Sequence, residues 1–508
     1  MADIKREKAA FGDLRGWIEA LRKADELHEI KAEVDWDVEL GTIVRMAQGT
    51  GDGPAMLFSN IKDYNKPDSL CSQLFTGGQA SYSRLAMMFG LPRETPPREM
   101  VKICKTIFTE RVAPRVVKTG AVKENIVAGK DFDLLKLPVP HWNRRDGGRH
   151  VLTYAGCVTK DPDTGVHNVG IYRGQVVAPD KIAVLMWRAQ HWGGHFSKYE
   201  ARGEEMPVAF VIGWEPSMGF TGGAPVPRGV SEYDVMGAIR GEPVNLVKGE
   251  TVDLMVPADA EIVIEGYISP DRSTYELEGP YAEFTGYYAV ERTRKPTARI
   301  TCVTYRNKPI FRGTIEGALP GSYAENAIMS SIQRAATAWN ALESSGVPGI
   351  TDVWCPPVHA GINLFIRMQQ NYRGQAKQAA MAVWGNSAAH VRYKHVWVVD
   401  DDIDVHDYAA VDWAFAWRTN AGEDDVLIYP ANFGAGLDPS TRRRDRDPIR
   451  FGTGKWARIL IDATCNLDYD PDPDLDGERF PPLVTPPAED AANVRRRWAE
   501  LGFKGKMP

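Results

Sequence analysis

Cysteine is scarce in this chain: six residues in 508, at positions 71, 104, 157, 302, 355 and 465, with no C-x-x-C pair among them. Such spacing supports neither a disulfide framework nor a zinc site, and the thiols are expected to be buried in a reducing compartment. An excess of positive charge is missing too, since 61 Lys and Arg stand against 67 Asp and Glu, a net charge of -6. That balance offers no broad field for phosphate backbones or anionic lipid, so nucleic acid is not an expected partner. No apolar run approaches the roughly 18 residues of a membrane span. The opening MADIKREKAAF lacks the apolar core of a signal peptide, which makes the cytoplasm the expected location. Repeats of fixed period and low-complexity tracts are absent, which sets solenoids and propellers aside. What remains has an ordinary globular composition, 43% hydrophobic and 25% charged, in a chain long enough for about three domains.

The hydrophobic pattern divides into three units. Leu14, Trp17, Ile18 and Leu21 recur at helical spacing, as do Leu40, Ile43, Val44 and Ala47, with a strand-like stretch near Ile30 between them. These predict a small α/β unit over 1–125, ending in the polar stretch Lys118 to Lys136. Over 126–320 the period shortens towards two. Val151–Thr159 and Val166–Arg173 read as a hairpin about the turn Asp161–Gly165, followed by strands at Pro207–Trp214, Glu261–Ser269 and Thr297–Tyr305. A barrel or folded sheet with few helices is expected there. Over 321–508, Ser322 and Glu325 suggest a capping box for a helix reaching Gly346. Strands at 349–354, 363–368, 395–400, 426–429 and 457–462 then alternate with helices at 375–384 and 407–417, the pattern of an open α/β sheet. Asp468 to Pro487 reads as an irregular arm able to clasp a neighbouring subunit, with a last helix over Asp490–Leu501.

Several motifs fail on inspection. Gly434-Ala-Gly436 lacks the third glycine of a dinucleotide fingerprint, and Gly454-Lys455 is followed by Trp456 where a P-loop needs Ser or Thr. Asp472, Asp474 and Asp476 imitate a calcium loop that prolines interrupt. Asp400, Asp401, Asp402 and Asp404 follow a strand end, where a hard cation, helix capping and a subunit boundary are all compatible readings.

Two constellations carry chemistry. Asn168 on the hairpin's return strand, His191 after the next apolar run, and Glu232 in the first turn of a helix capped by Ser231 offer one nitrogen and two oxygens. That donor set suits manganese or magnesium bridging a ligand phosphate better than structural zinc. Gly193 and Gly194 argue against a helix joining His191 to His195, and His195 is left out. The second constellation is Glu278-Gly-Pro-Tyr-Ala-Glu283, two acids on a segment whose Gly and Pro oppose regular structure. Paired carboxyls near a cation can split roles, desolvation raising one pKa while the cation keeps the other ionised, and Arg173 is the candidate cation. Asn168 and Arg173 are five apart, so the strand must end or bulge between them if both serve one site.

These segments in order, N-V-G-I-Y-R from Asn168, Q-H from Gln190, S-E-Y from Ser231, G-A-I-R-G-E-P-V from Gly237, E-G-P-Y-A-E from Glu278, Y-K-H-V-W-V-V-D-D-D-I-D from Tyr393 and I-D-A-T from Ile461, together resemble the UbiD family of prenylated-flavin-dependent decarboxylases. The resemblance implies an N-terminal α/β domain, a central split β-barrel that holds the flavin, and a C-terminal α/β domain that dimerises. It implies a manganese ion on Asn168, His191 and Glu232, a potassium ion nearby, and prenylated FMN lined by Asn168, Ile171, Tyr172, Arg173, Gln190, His191 and Lys394. Arg173, Glu278 and Glu283 would form the catalytic network, with Glu283 the proton donor, and a flavin prenyltransferase would supply the cofactor. The implied substrate is an aromatic or heteroaromatic acid such as a hydroxybenzoate. A cinnamic-type acrylic acid and a non-catalytic flavin-binding subunit stand as alternatives. Trp397 and Phe433 read equally as pocket lining and as core.

Overall fold

The structure is a computed structural model that describes residues 6–289, 291–386, 392–446 and 454–503. In helix Leu14–Lys23 all four periodic residues are buried, and Asp13 caps the first turn by accepting from the Gly16 amide at 2.7 Å. With helix Glu39–Gln48 it flanks a four-stranded sheet ordered 27–30, 55–58, 73–76, 310–312. The fourth strand, Ile310–Arg312, comes from far along the chain and runs parallel to Gln73–Thr76. The polar stretch Lys118 to Lys136 is not merely a unit end. It contains strand Asn125–Ala128, paired antiparallel with Cys302–Tyr305 of the central sheet. Its side chains alternate between half-buried and exposed, so its apolar content is too low to stand out as a strand.

The central sheet has nine strands. Eight follow the order 150–152, 174–178, 181–184, 297–305, 262–268, 206–212, 156–160, 167–171, and Asn125–Ala128 joins 297–305 from the side. The expected hairpin forms between Gly156–Lys160 and His167–Ile171, but Val151 and Leu152 belong to a separate strand at the sheet's far end. Strand His167–Ile171 ends one side of the sheet, and the next strand, Gly174–Ala178, lies one place in from the other side. Only Tyr172 and Arg173 connect them, a span of about 10 Å at most. The sheet therefore curls into a nearly closed barrel, and Arg173 sits in the seam. Strand Met206–Ile212 shows why both faces read as apolar: Val208, Phe210 and Ile212 enter one core, while Ala209 and Val211 enter another beneath helix Glu232–Arg240.

Helices in this region are more numerous than expected: His191–Arg202, Pro216–Gly223 and Glu232–Arg240. The first overturns the reading of Gly193 and Gly194 as helix breakers. A Cβ on Gly193 would lie 1.9 Å from the Trp187 carbonyl oxygen, so glycine is there to let the helix approach the chain before it.

Helix Glu325–Ser344 lies along the C-terminal core. Its expected capping box does not form. Ser322 donates to the Arg45 carbonyl at 3.2 Å, while the Glu325 carboxylate accepts from the Gly77 and Gln79 amides and from Arg312, tying this helix to the N-terminal sheet. Beyond it, strands 363–368, 395–400 and 454–463 are parallel, with antiparallel strands 350–354 and 426–434 at the two edges. Helices Gln375–Gly385 and Tyr408–Arg418 connect them, and the arm over 468–487 is largely irregular and exposed. The last helix is Ala488–Arg496, earlier and shorter than expected. Among the described residues no helix is long and apolar enough to cross a membrane.

Candidate functional site

The seam of the barrel gathers the acids. Strand 167–171 stops before Tyr172, which frees Arg173 from the alternation that would have turned it away from Asn168. Glu278 and Glu283 do not share one irregular loop as expected. Glu278 ends strand Glu276–Glu278, paired with Thr293–Lys295, and Glu283 follows strand Tyr281–Ala282, paired with Tyr288–Ala289. Gly279, at φ +91°, and Pro280 make the corner between the two short ladders, a conformation open to glycine. Arg173 Nη2 donates to Glu278 Oε2 at 2.8 Å and Nη1 donates to Glu283 Oε1. All three side chains are buried, and so is His150, whose Nε2 lies 3.4 Å from Glu278 Oε1.

Burial raises the pKa of both glutamates, and their partners then separate them. For Glu278 the Arg173 guanidinium and His150 outweigh burial and hold the carboxyl down at about 2. For Glu283 burial prevails over Arg173, with the charge of Glu278 adding to it, and the pKa lies above the ordinary value. One buried guanidinium thus bridges a fixed carboxylate and a carboxyl of raised proton affinity.

A third acid, Glu316, was not legible in the sequence, where it is one carboxylate in a loop. Burial and the charge of Glu283 raise it to about 8, against Arg173 and Arg45. The Arg45 side chain fixes its backbone by donating to the Glu316 and Gly317 carbonyls. An unfolded glutamate loses its proton near 4.5. Between about 4.5 and about 8 the folded chain therefore holds a proton that the unfolded chain has released, and stability falls as pH rises through that window. Glu316→Gln removes this slope. The variant is expected to gain stability relative to the parent as pH rises from 5 to 8, measured as a growing difference in urea midpoint. A difference that stays constant would contradict the assignment.

The second constellation also assembles. Glu232 opens its helix and reaches back to the hairpin: Oε2 accepts from the Val169 amide at 2.7 Å, and Oε1 accepts from Asn168 Nδ2 at 2.8 Å. His191 Nδ1 lies 3.3 Å from Asn168 Nδ2 and 3.6 Å from Glu232 Oε1. Asn168 Oδ1 is buried without a hydrogen-bond partner. A half-turn of the amide brings that oxygen to the point where His191 and Glu232 converge, giving the N, O, O donor set of a hard or borderline cation. Among the described residues no three His, Cys, Asp or Glu cluster to hold a metal. Here asparagine is the third donor. His195 shares the helix of His191 but turns to Thr159, with Nδ1 to Oγ1 at 3.0 Å.

The remaining expected residues divide. Ile171 packs beside Gly222, the Tyr172 ring stacks on Trp192 at 4.0 Å, and Gln190 caps helix His191–Arg202 with its amide unused in the cap. Lys394 bonds to neither constellation among the described residues. Its Nζ donates to Asp438 and Ser440, both at 2.8 Å, beside a smaller pocket of about 190 Å³. Trp397 packs between Phe365 and Phe415 in the C-terminal core, and the side chain of Phe433 lies outside the described residues. The four aspartates are engaged internally, Asp400 with Gln370, Asp401 with Thr351, Asp402 with Arg418 and Asp404 with Arg98. Beside Arg173 opens a larger cavity of about 430 Å³.

Models of the three domains of 3-octaprenyl-4-hydroxybenzoate carboxy-lyase match the chain in order: the N-terminal domain over 18–104, the Rift-related domain over 115–319 and the C-terminal domain over 327–463. The chain belongs to the UbiD family of carboxy-lyases. It is 32% identical over 425 residues to the pyrrole-2-carboxylic acid decarboxylase of Pseudomonas aeruginosa, covering 81% of this chain and 84% of that one. Vanillic acid decarboxylase of Sedimentibacter hydroxybenzoicus in its closed form superposes with a TM-score of 0.85 at 29% identity, over 98% of this chain and all of that one. The UbiD-class enzyme HmfF of Pelotomaculum thermopropionicum, solved in complex with FMN, gives a TM-score of 0.77 at 31% identity over 94% and 98% of the two chains.

Proposed function

We propose that this carboxy-lyase catalyses the prenylated-FMN-dependent, reversible decarboxylation of an aromatic or heteroaromatic carboxylic acid. The observation that carries the reading is the buried Arg173 joining two glutamates of opposite proton affinity. The decarboxylases of pyrrole-2-carboxylic and vanillic acid among its relatives support an aryl substrate over an acrylic one. When bound, the prenylated flavin supplies an electron sink for the pair left behind by carbon dioxide, which an sp² carbon cannot delocalise. Asn168, His191 and Glu232 would hold manganese on the cofactor phosphate, with potassium nearby, and the free Asn168 Oδ1 fits that role. Ile171, Tyr172, Gln190 and Lys394 would line the flavin. Glu278, ionised, fixes Arg173. Glu283, protonated, delivers its proton to the carbon that has lost carbon dioxide. We assign 1–125, 126–320 and 321–508 as the α/β, flavin-binding and dimerising domains of a cytoplasmic homodimer.

The test is mass spectrometry and metal analysis of protein co-expressed with a flavin prenyltransferase. Prenylated FMN with manganese is the expected content, and Glu232→Gln is expected to lose most of both. Ordinary flavin alone, or none, would favour a non-catalytic subunit.

A further inference from the structure

A proton that Glu283 gives up has to be replaced, and its side chain is 4% exposed, so bulk water does not return that proton directly. One further acid stands against it. The segment 316–318 packs on the backbone that carries Glu283: the Ala318 amide donates to the Phe284 carbonyl at 3.3 Å, and a Cβ on Gly317, at φ +106°, would lie 3.2 Å from the Glu283 carbonyl oxygen and 3.4 Å from Gly286 Cα. Glycine at 317 is what lets the two segments approach so closely. Arg45 pins the same segment by donating to the Glu316 carbonyl and, at 2.8 Å, to the Gly317 carbonyl.

These contacts leave the Glu316 carboxyl unengaged. Arg45 bonds to its backbone, and the carboxyl oxygens accept no hydrogen bond among the described residues. The side chain is half-buried, with Leu319 and Pro320 exposed just beyond it, while Glu283, Arg173 and Arg45 act on it from within. Below about 8 it holds a proton that an ordinary glutamate has lost. The other titratable and charged groups around Glu283 are poorer sources. Glu278 is ionised above about 2, and Arg173 keeps its proton. Burial raises the hydroxyls of Tyr281 and Tyr288, and Lys295 feels Glu278 more strongly than Glu283. Asp146 is taken up by Asn143 and by the Ala282 amide.

We infer that Glu316 is the proton store of this site: it passes a proton to the Glu283 carboxylate left after each delivery to the substrate carbon, and takes one back from water. In each turnover carbon dioxide leaves, its electron pair forms a C–H bond with the Glu283 proton, the O–H of Glu283 re-forms as that of Glu316 breaks, and one solvent proton restores Glu316. Glu316 touches no substrate and acts through Glu283. The inference rests on the decarboxylase reading and adds the source of its proton.

Rapid mixing of the protein loaded with prenylated FMN against pyrrole-2-carboxylate, and against vanillate, separates the first turnover from those that follow. Glutamine imitates the protonated acid in shape and charge. Glu316→Gln is therefore expected to complete its first turnover within about twofold of the parent rate and then to slow by about tenfold or more, with a larger solvent deuterium isotope effect on the later turnovers and unchanged binding of the acid. In Glu316→Ala, imidazole is expected to restore the later turnovers in proportion to its protonated fraction, and this variant carries the test if Glu316→Gln folds poorly. Glu316→Asp is expected to keep part of the rate unaided. A first turnover slowed as much as the later ones would make Glu316 a mere support for Glu283 and overturn the inference. Later turnovers at the parent rate in both Glu316→Gln and Glu316→Ala would overturn it as well. Failure of the decarboxylase reading looks different: the parent itself turns over neither acid and releases no prenylated flavin, and Glu316 then has no carbon to serve.

Discussion

Arg173→Met is expected to abolish turnover, by a factor of about a thousand or more, and to lower stability by about 3–5 kcal/mol at neutral pH. The guanidinium is the one group among the described residues bonded to both Glu278 and Glu283, while His150 reaches Glu278 alone. Removing it leaves two buried carboxyls facing each other, which cannot both ionise. The sign of the pH dependence follows from Glu278. Its pKa, held at about 2, contributes stability that is fully present above the ordinary glutamate value and is lost as pH falls towards 2. In the variant the Arg173 share of that contribution is gone and only His150 remains, so the deficit against the parent should be largest at neutral pH and shrink as pH approaches about 3. Urea denaturation at the two pH values checks it, and a deficit independent of pH would refute the role given to Arg173. Arg173→Lys should recover part of the stability and little of the activity, because a compact ammonium lacks the planar fork that presents separate N–H groups to carboxylates on two ladders.

The strands that were legible in the sequence are the ones rich in apolar and β-branched residues and largely buried. Thr297–Tyr305, Asn363–Met368 and His395–Asp400 have the bounds their composition announces. Asn125–Ala128 was lost because half of it faces solvent. Helix His191–Arg202 was lost because the propensity of Gly193 was weighed without the Trp187 carbonyl it packs against. Ser322 and Glu325 carry a genuine capping pattern, overridden when the Gly77 and Gln79 amides and Arg312 claimed the carboxylate. At the site, residue types and order were enough to nominate Asn168, Arg173, His191, Glu232, Glu278 and Glu283. The two-residue crossing of the barrel seam that brings them together depends on strand order and has no local signal. His150 and Glu316 acquire their importance only from that crossing.

Glu283→Gln separates proton delivery from everything else in the site. The amide keeps the size and a hydrogen-bonding oxygen for Arg173, and Asn168, His191 and Glu232 are untouched. Flavin and manganese should therefore be retained while turnover falls by about 10²–10⁴. In the parent, burial raises the Glu283 pKa above its ordinary value, so the acid form persists to higher pH than in a free glutamate and the rate should decline as pH rises through that raised pKa. Glu278 cannot produce that decline, because it is already ionised above about 2. The residual rate of the variant should accordingly lack the descending limb. A second readout does not depend on turnover. Repulsion from Glu283 is one of the forces that lift Glu316 to about 8, so in the variant Glu316 should titrate at lower pH, seen by carboxyl NMR or in the pH profile of stability. Full turnover in Glu283→Gln would remove Glu283 as the donor. A lost rate with an unmoved Glu316 would mean that the two carboxyls do not share the seam as the structure places them.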